Sequence, residues 1–535
     1  MLKLNYIKIF IICILFALFI FFIFLYNIID SNNGDKNLFL QTDNNKRNKK
    51  SLIKRSSSIK LNTYNIFMNK VRDFYGDRNL ILLPGKDCKN QNMKTFFFKP
   101  KYPKTPYKFI KFQKKNFSLE ISNEKPSAFV DNNVEIRAIF LKRLGFKINN
   151  EIDSKNLYIA PYVINNTFKK KIKPFLVNQY HKLNRFFNYE EYSSKSLLYI
   201  NYKQYEKKYP SDYNYMLETY SYPEERDKIK KKFHNYTLKA GGDIWLIKPK
   251  LGSLGKKIGI LKNLSNIKLK NYVITKYLYN SYLIKGYKND FRFHGLISSI
   301  KPLKLYLYNE GLVRLASEKH NFSALRKQNK YAILSNLFIN KKNKDKFIYP
   351  KNNHKIEDSN LWNLETFQKY CQANNINFEK IFSEIADIFV KAIISVRGEL
   401  IKEIEKNKLD FNNFYNLIGF DIIFDENLKP YLLEMNRRCG FRDDNDAEKY
   451  YTYNIIADTL NIIGIRPNYL DISNKYKNKD ELLKKNLEES LCELDRPRGG
   501  YKLIFPLKNN YKNYKQFFGK NIPEEDQNLW KNLID

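Results

Sequence analysis

Between residues 416 and 436 the chain reads Asn-Leu-Ile-Gly-Phe-Asp-Ile-Ile-Phe-Asp-Glu-Asn-Leu-Lys-Pro-Tyr-Leu-Leu-Glu-Met-Asn. Two apolar runs flank a turn at Asp425–Asn427, and Asp421, Glu434 and Asn436 interrupt them. Side chains alternate along a strand, so Glu434 and Asn436 share a face, and a hairpin brings Asp421 beside them. Two carboxylates and an amide oxygen make a hard oxygen set suited to Mg²⁺ bridging phosphates. Ordinary strand-edge polarity is the plain alternative. A carboxylate buried within Tyr-Leu-Leu-Glu-Met, however, must be paired or bind a cation.

Upstream, Asp243-Ile-Trp-Leu-Ile-Lys248-Pro reads as a strand ending in lysine, followed by a Gly-Ser-Leu-Gly-Lys-Lys-Ile-Gly stretch from Gly252 to Gly259. Such a loop lets backbone N–H groups approach phosphate oxygens, with a lysine as point charge, although a plain hairpin reads the same way. It matches neither G-x-x-x-x-G-K-[ST] nor G-x-G-x-x-G. Lys288-Asn289-Asp290-Phe-Arg292 and Gly311-Leu-Val-Arg314 each put charge on an expected strand. Singly, these look like structural salt bridges.

The elements that must hold these groups begin near Ser127, where apolar strands and periodic helices replace a polar, Lys/Asn-rich stretch. A helix is expected over Val134–Leu144, stopped by Gly145 in the C-cap position. Sequence texture suggests five segments: an anchor at 1–30, a largely disordered tether at 31–126 with one ordered piece near Leu80–Pro84, a subdomain at 127–240, a core at 241–470 and a basic end at 471–535. There is no internal repeat.

The 535 residues carry 95 Lys plus Arg against 55 Asp plus Glu, a formal charge of +40. A 43% hydrophobic content excludes a mostly disordered chain, and 19 Gly with 17 Pro exclude a collagen-like fibre. The charge suits a polyanion, whether nucleic acid, a membrane surface or an acidic protein segment; compositional drift would also produce it. Cys13, Cys88, Cys371, Cys439 and Cys492 form no CxxC pair, so no disulfide framework is expected and reduced cytosolic thiols fit. The five scattered histidines leave metal chemistry to carboxylates.

Ile9–Tyr26 is an unbroken apolar run, long enough with Ile28 and Ile29 for a single transmembrane helix. Lys46, Arg47, Lys49, Lys50, Lys54 and Arg55 outnumber Lys3 and Lys8, so a membrane-anchored protein with its body facing the cytoplasm is expected.

Taken in order, these motifs resemble the tubulin tyrosine ligase-like amino-acid ligases, an α/β family of ATP-grasp fold. The resemblance runs from about Ser127 to Phe518, strongest in Ile244–Ile260, Val273–Leu278, Lys288–Arg292, Lys304–Lys319, Leu334–Asn340 and Leu417–Asn436. Weaker matches are Val177–Asn201, Thr219–Glu225 and Gly499–Pro506. It implies ATP and Mg²⁺ as cofactors and an acyl-phosphate route joining a free amino acid to tubulin or another acidic protein. Lys248, Leu254 and Gly255 would contact phosphates, and Thr275, Lys276, Tyr277 and Leu278 would line the adenine pocket. Lys288, Asn289 and Asp290 would sit with Arg292 at the triphosphate, and Ser335 and Asn336 would touch ATP. Asp421, Glu434 and Asn436 would ligate Mg²⁺, while Arg292 and Arg314 would serve the reacting groups. The partners implied are microtubules or acidic tubulin tails, with no nucleic acid; a non-catalytic microtubule-binding member is the alternative.

Four departures from the family pattern stand out: Leu254 for an arginine, Arg437-Arg438-Cys439-Gly440 for a Ser-Pro stretch, Leu337-Phe338 for Tyr-Ser, and Ser359-Asn360-Leu361-Trp362 for Ser-Lys-Trp. An apolar pair at 337–338 implies that glutamate is a poor donor, with glycine or another uncharged amino acid preferred, or no transfer at all.

Overall fold

The computed structural model describes residues 81–83, 95–98, 120–121 and 125–533, apart from 132–134, 162, 177–179, 239–241, 253–254, 256, 265–269, 351–355, 438, 442–445 and 468–477. The chain divides into units at Val71/Arg72, and every described residue belongs to the second.

Strands β1 (Ile81–Leu83), β2 (Thr95–Phe97) and β3 (Glu120–Ile121) form an antiparallel sheet ordered β2-β1-β3. Part of the expected tether is therefore ordered: Phe96 and Phe98 are buried, and Phe98 exchanges backbone hydrogen bonds of 2.7 and 2.9 Å with the Asn461 amide.

Next come β4 (Ser127–Val130), β5 (Lys147–Asn149), β6 (Leu157–Ile159) and β7 (Lys182–Leu183), a parallel sheet ordered β5-β4-β6-β7. Parallel neighbours need a crossover, and helix α1 (Glu135–Arg143) supplies it between β4 and β5. Gly145 follows that helix with φ +90°, the left-handed cap its sequence suggests.

Helix α2 (Lys195–Lys208) leads into an antiparallel sheet of β8 (Thr219–Tyr222), β9 (Trp245–Pro249), β10 (Gly259–Ile260) and β11 (Tyr272–Lys276), ordered β10-β9-β11-β8. The largest sheet contains β12 (Tyr287–Ile300), β13 (Leu303–Tyr308), β14 (Leu312–Lys319), β15 (Leu361–Asn363), β16 (Asn416–Phe424), β17 (Pro430–Asn436) and β18 (Tyr501–Phe505). Strand β12 organises it. One edge pairs with β14 in its first half and β13 in its second, while the other edge pairs with β16, which carries β17.

Alternation along β12 sends Phe291 and Phe293 to one face, where the 29-residue helix α3 (Phe378–Lys406) packs. Phe389 of α3 stacks on Phe420 at 4.9 Å, and Phe382 meets Phe293 edge-on at 6.4 Å. Helix α3 is amphipathic: Ile381, Ile385, Ile388, Ala392, Val396 and Leu400 recur at helical spacing and are buried. On another side of the sheet, helix α4 (Asp446–Ile463) contributes Ile455, Leu460 and Ile463 to a second core with Leu296, Tyr306 and Tyr308. Helix α5 (Lys479–Asp495) follows.

Two expectations are corrected here. No helix among the described residues is long and apolar enough to cross a membrane; even α3 is interrupted by Lys391 and Arg397. The run at residues 9–29 lies outside the described residues, so the transmembrane helix, the membrane partner and the membrane-anchored, cytoplasm-facing placement are withdrawn. Cys492 on α5 is disulfide-bonded, so the cysteines are not all reduced thiols; Cys371 and Cys439 are free and buried.

Candidate functional site

Strand parity places the charges. Lys288, Asp290 and Arg292 alternate along β12 and share the face opposite Phe291 and Phe293. Cross-strand register then aligns Arg314 of β14 with Asp290, Arg292 with Asp421 of β16, and Asp421 with Glu434 of β17. Arg292 holds Asp421 in a bidentate pair, with Nη2 donating to Oδ2 at 3.0 Å. Arg314 donates to Asp290 Oδ1 at 3.1 Å from Nε and reaches Asp421 Oδ2 at 2.8 Å from Nη2. Glu434 accepts from the Asn436 amide at 3.1 Å.

An open cleft lies over this row. Lys248, Lys276, Tyr277, Leu278, Lys288, Asp290, Ser335, Asn336, Asp421 and Glu434 all line it. Leu246, Ile258, Ile333, Leu334, Ile423 and Leu433 supply apolar walls. Gly255 is buried beside the cleft, where an added Cβ would stand 3.1 Å from Asn336 Cγ. Lys288 Nζ donates to the Leu278 carbonyl at 2.5 Å and Ser281 Oγ at 2.8 Å, lying 4.5 Å above the Tyr277 ring.

Other expected site residues fall elsewhere. Thr275 faces a neighbouring cavity, where its hydroxyl accepts from Thr219 at 3.2 Å. Asn289 turns to the opposite face of β12 and donates to the Tyr282 carbonyl at 2.9 Å. Arg292 and Arg314 stand behind the cleft surface, coupled to it through Asp421 and Asp290. Asn436 is reached through Glu434, and Leu254 lies outside the described residues. The lining stops at Asn336: Leu337 is buried in packing, and Phe338 is exposed with Lys342 Nζ 4.9 Å from its ring. Asn360 is structural, bonding the Ala316 carbonyl at 2.9 Å and the Ile348 N–H at 2.8 Å.

Sequence reasoning missed Lys195. It opens α2 behind the Ser194 cap, and its Nζ reaches Glu434 Oε2 at 2.9 Å and the Gly252 carbonyl at 3.2 Å. A lysine just inside a serine-capped helix start was its local signal, but only the folded chain brings it to Glu434.

The electrostatics follow from burial and pairing. Burial, then the nearby Lys195 charge, pushes Lys248 down to about 8. Burial likewise pushes Lys288 down to about 7, with Asp290 opposing and Lys248 adding to the shift. Burial alone would raise Asp421, but Arg292 and Arg314 overcome it and hold the carboxylate well below its usual range. Glu434 is lowered too: burial opposes ionisation, and Lys195 outweighs it. Asp421 and Glu434 are thus anions at neutral pH, beside lysines that retain protons most readily when an anion joins them.

Among the described residues no three His, Cys, Asp or Glu side chains form a closed metal cluster. Two carboxylates on paired strands with a neighbouring amide fit Mg²⁺, which keeps several waters and takes its remaining oxygens from phosphates.

The model of the tubulin-tyrosine ligase family matches residues 175–472, more than half of the chain. A probable beta-tubulin polyglutamylase of Tetrahymena thermophila is 28% identical over 338 residues, covering 58% of this chain and 28% of that protein. The mouse tubulin monoglutamylase TTLL4 is 32% identical over 231 residues, 43% of this chain and 19% of its own length. The mouse tubulin polyglutamylase TTLL7 is 26% identical over 362 residues, 65% of this chain and 38% of that protein. The chain thus spans well under half the length of these curated relatives. The matched stretch contains the charged row and the cleft residues, and the chain belongs to the tubulin-tyrosine ligase family.

Proposed function

We propose that this chain is an ATP-dependent ligase that joins an amino acid to tubulin through an acyl phosphate. The observation that carries the reading is the cleft itself: Lys248 on β9 and the buried Lys288 on β12 face two anionic carboxylates on β16 and β17, beside apolar walls. Lysines and carboxylates together suit a polyphosphate with a divalent cation, and the apolar walls with Tyr277 suit a flat base. Asp421, Glu434 and Asn436 would hold Mg²⁺, which would neutralise charge on the phosphates.

The residues of the chain then have distinct tasks. Lys248, Lys288 and Lys195 bind and orient the phosphates. A carboxylate oxygen of the acceptor takes the terminal phosphoryl group as ADP leaves, and the donor's amino nitrogen forms the amide bond as phosphate leaves. Negative charge builds on the transferring and acyl oxygens; the cleft lysines would meet it directly, and Arg292 and Arg314, behind the cleft surface, would act on it through Asp421 and Asp290.

The relatives' names support tubulin as acceptor, and the +40 charge suits its acidic tails. They also favour glutamate as donor. Leu337 and Phe338 are not among the residues lining this cleft. The test is ADP release by the full chain with Mg²⁺-ATP, tubulin and single amino acids. Release that requires tubulin and is fastest with glutamate supports the reading; release independent of any amino acid contradicts it.

A further inference from the structure

We propose that His294 and Tyr451 are positioning residues that hold the Arg292 guanidinium in register through the carbonyl of Cys439. The proposal rests on the reading of the cleft as the ligase site, in which Arg292, behind the cleft surface, acts through the Asp421 carboxylate it holds.

The hydrogen bonds determine the direction of this relay. Arg292 uses Nε and Nη2 on Asp421 and donates from Nη1 to the Cys439 carbonyl at 3.1 Å. The same carbonyl lies 3.2 Å from His294 Nε2. A carbonyl oxygen only accepts, so Nε2 carries the proton and Nδ1 is left as a lone pair. The Tyr451 hydroxyl contacts Nδ1 and must donate to it. Tyr451 therefore fixes the tautomer, His294 fixes the carbonyl, and the carbonyl orients the third arm of Arg292. Burial, and then the Arg292 charge, keeps the imidazole neutral by lowering it to about 3.

Packing leaves the guanidinium little alternative space. A Cβ added at Gly419 would stand 3.1 Å from Arg292 Cδ, and one at Gly440 would stand 3.0 Å from Nη1. Gly440 also has φ +73°, a conformation that favours glycine. The turn is pinned to β16 by the Cys439 thiol, which donates to the Leu417 carbonyl at 3.1 Å. Phe441 stacks on the His294 ring at 6.1 Å. These contacts fall at the Arg437–Gly440 stretch where the chain departs from the family pattern, so that departure acquires a purpose: a Cys-Gly turn shaped around Arg292.

The relay touches Arg292 and not the lysines that hold nucleotide. It should therefore act on kcat more than on ATP affinity. The test compares the full chain with His294→Leu, His294→Gln and Tyr451→Phe. It measures Mg²⁺-ATP affinity by calorimetry, kcat and KM for ADP release with tubulin and glutamate, and the ¹⁵Nε–¹H resonance of Arg292, assigned by its loss in Arg292→Lys. His294→Leu should lose about 100-fold in kcat, the scale of a small misplacement of a reacting group. Its ATP affinity should stay within about twofold, and its Arg292 resonance should broaden or shift. His294→Gln keeps a donor for the carbonyl and should recover most of kcat and the resonance. Tyr451→Phe, which removes one hydroxyl, should fall between them.

An unchanged kcat and resonance in folded His294→Leu or Tyr451→Phe would overturn the proposal. So would equal losses in the Leu and Gln variants accompanied by weaker ATP binding, the sign of a merely structural role. A wild-type chain without turnover contradicts the ligase reading, while the Arg292 resonance still decides whether the relay exists.

Discussion

The row Arg314, Asp290, Arg292, Asp421 and Glu434 and the charges around α5 are built from the same ingredients. In the second region Glu489 is paired with both Arg466 and Arg496, and Arg496 also donates to the Ile462 carbonyl at 2.9 Å. Glu493 accepts from Lys304 at 2.7 Å, Tyr306 at 2.9 Å and Ser298 at 2.5 Å. Both regions bury arginine–carboxylate pairs, and in both the arginines hold a carboxylate below its usual range against the effect of burial. They differ in what lies on their remaining side. Around α5 each carboxylate is enclosed by partners from distant elements, whereas Asp421 and Glu434 face a cleft with lysines across it. Burial and charge alone therefore do not mark chemistry; an opening with unlike charges facing it does.

Breaking the enclosed network should have the largest effect, on stability. Glu489→Ala leaves two buried arginines uncompensated and should cost about 3–5 kcal/mol in urea unfolding, with ATP affinity of the folded chain unchanged. A loss of ATP affinity at full stability would erase the distinction between the regions. Glu434→Gln should do the reverse. Turnover should fall at least about 100-fold, the scale of losing one preorganised electrostatic group, while the melting temperature holds. Unaltered turnover across a Mg²⁺ titration would remove Glu434 from the metal set.

Lys195→Ala sharpens the contrast on a smaller scale. It should weaken Mg²⁺-ATP binding about tenfold, near the worth of one charge-assisted hydrogen bond, as measured by calorimetry. Smallest is the pH effect. Lys288 and Lys248 are lowered to about 7 and 8, so both are largely protonated at pH 6 and largely neutral at pH 9 in the free chain. Phosphate binding favours the protonated forms, so ATP affinity should fall several-fold between pH 6 and 9, with proton uptake on binding near pH 8. Affinity that rises with pH would place the phosphates away from these lysines.

Local patterns in the sequence carried much of this site. The hairpin at 416–436 needs only apolar alternation and a turn, and the register indeed sets Asp421 against Glu434. Reading contiguous motifs as contiguous sites was less reliable. Parity sends Asn289 to the face opposite Lys288 and Asp290, and Thr275 to a neighbouring cavity. The Asp290–Arg314 pairing depends on the register of β12 with β14, which includes a shift between Tyr287 and Asn289 that no local pattern marks. Lys195 meets Glu434 only through packing of α2 against the cleft. Phe96 and Phe98 looked like part of a polar tether because their partners, Ile465 and Asn461, lie far along the chain.

The most direct test of the central claim is intact-mass analysis of tubulin after incubation with the full chain, Mg²⁺-ATP and glutamate. The account predicts mass increments of one or more glutamate residues on the acidic tails, absent without ATP and absent with Glu434→Gln. Tubulin of unchanged mass with glutamate and every other amino acid, from a folded chain that binds Mg²⁺-ATP, would contradict it.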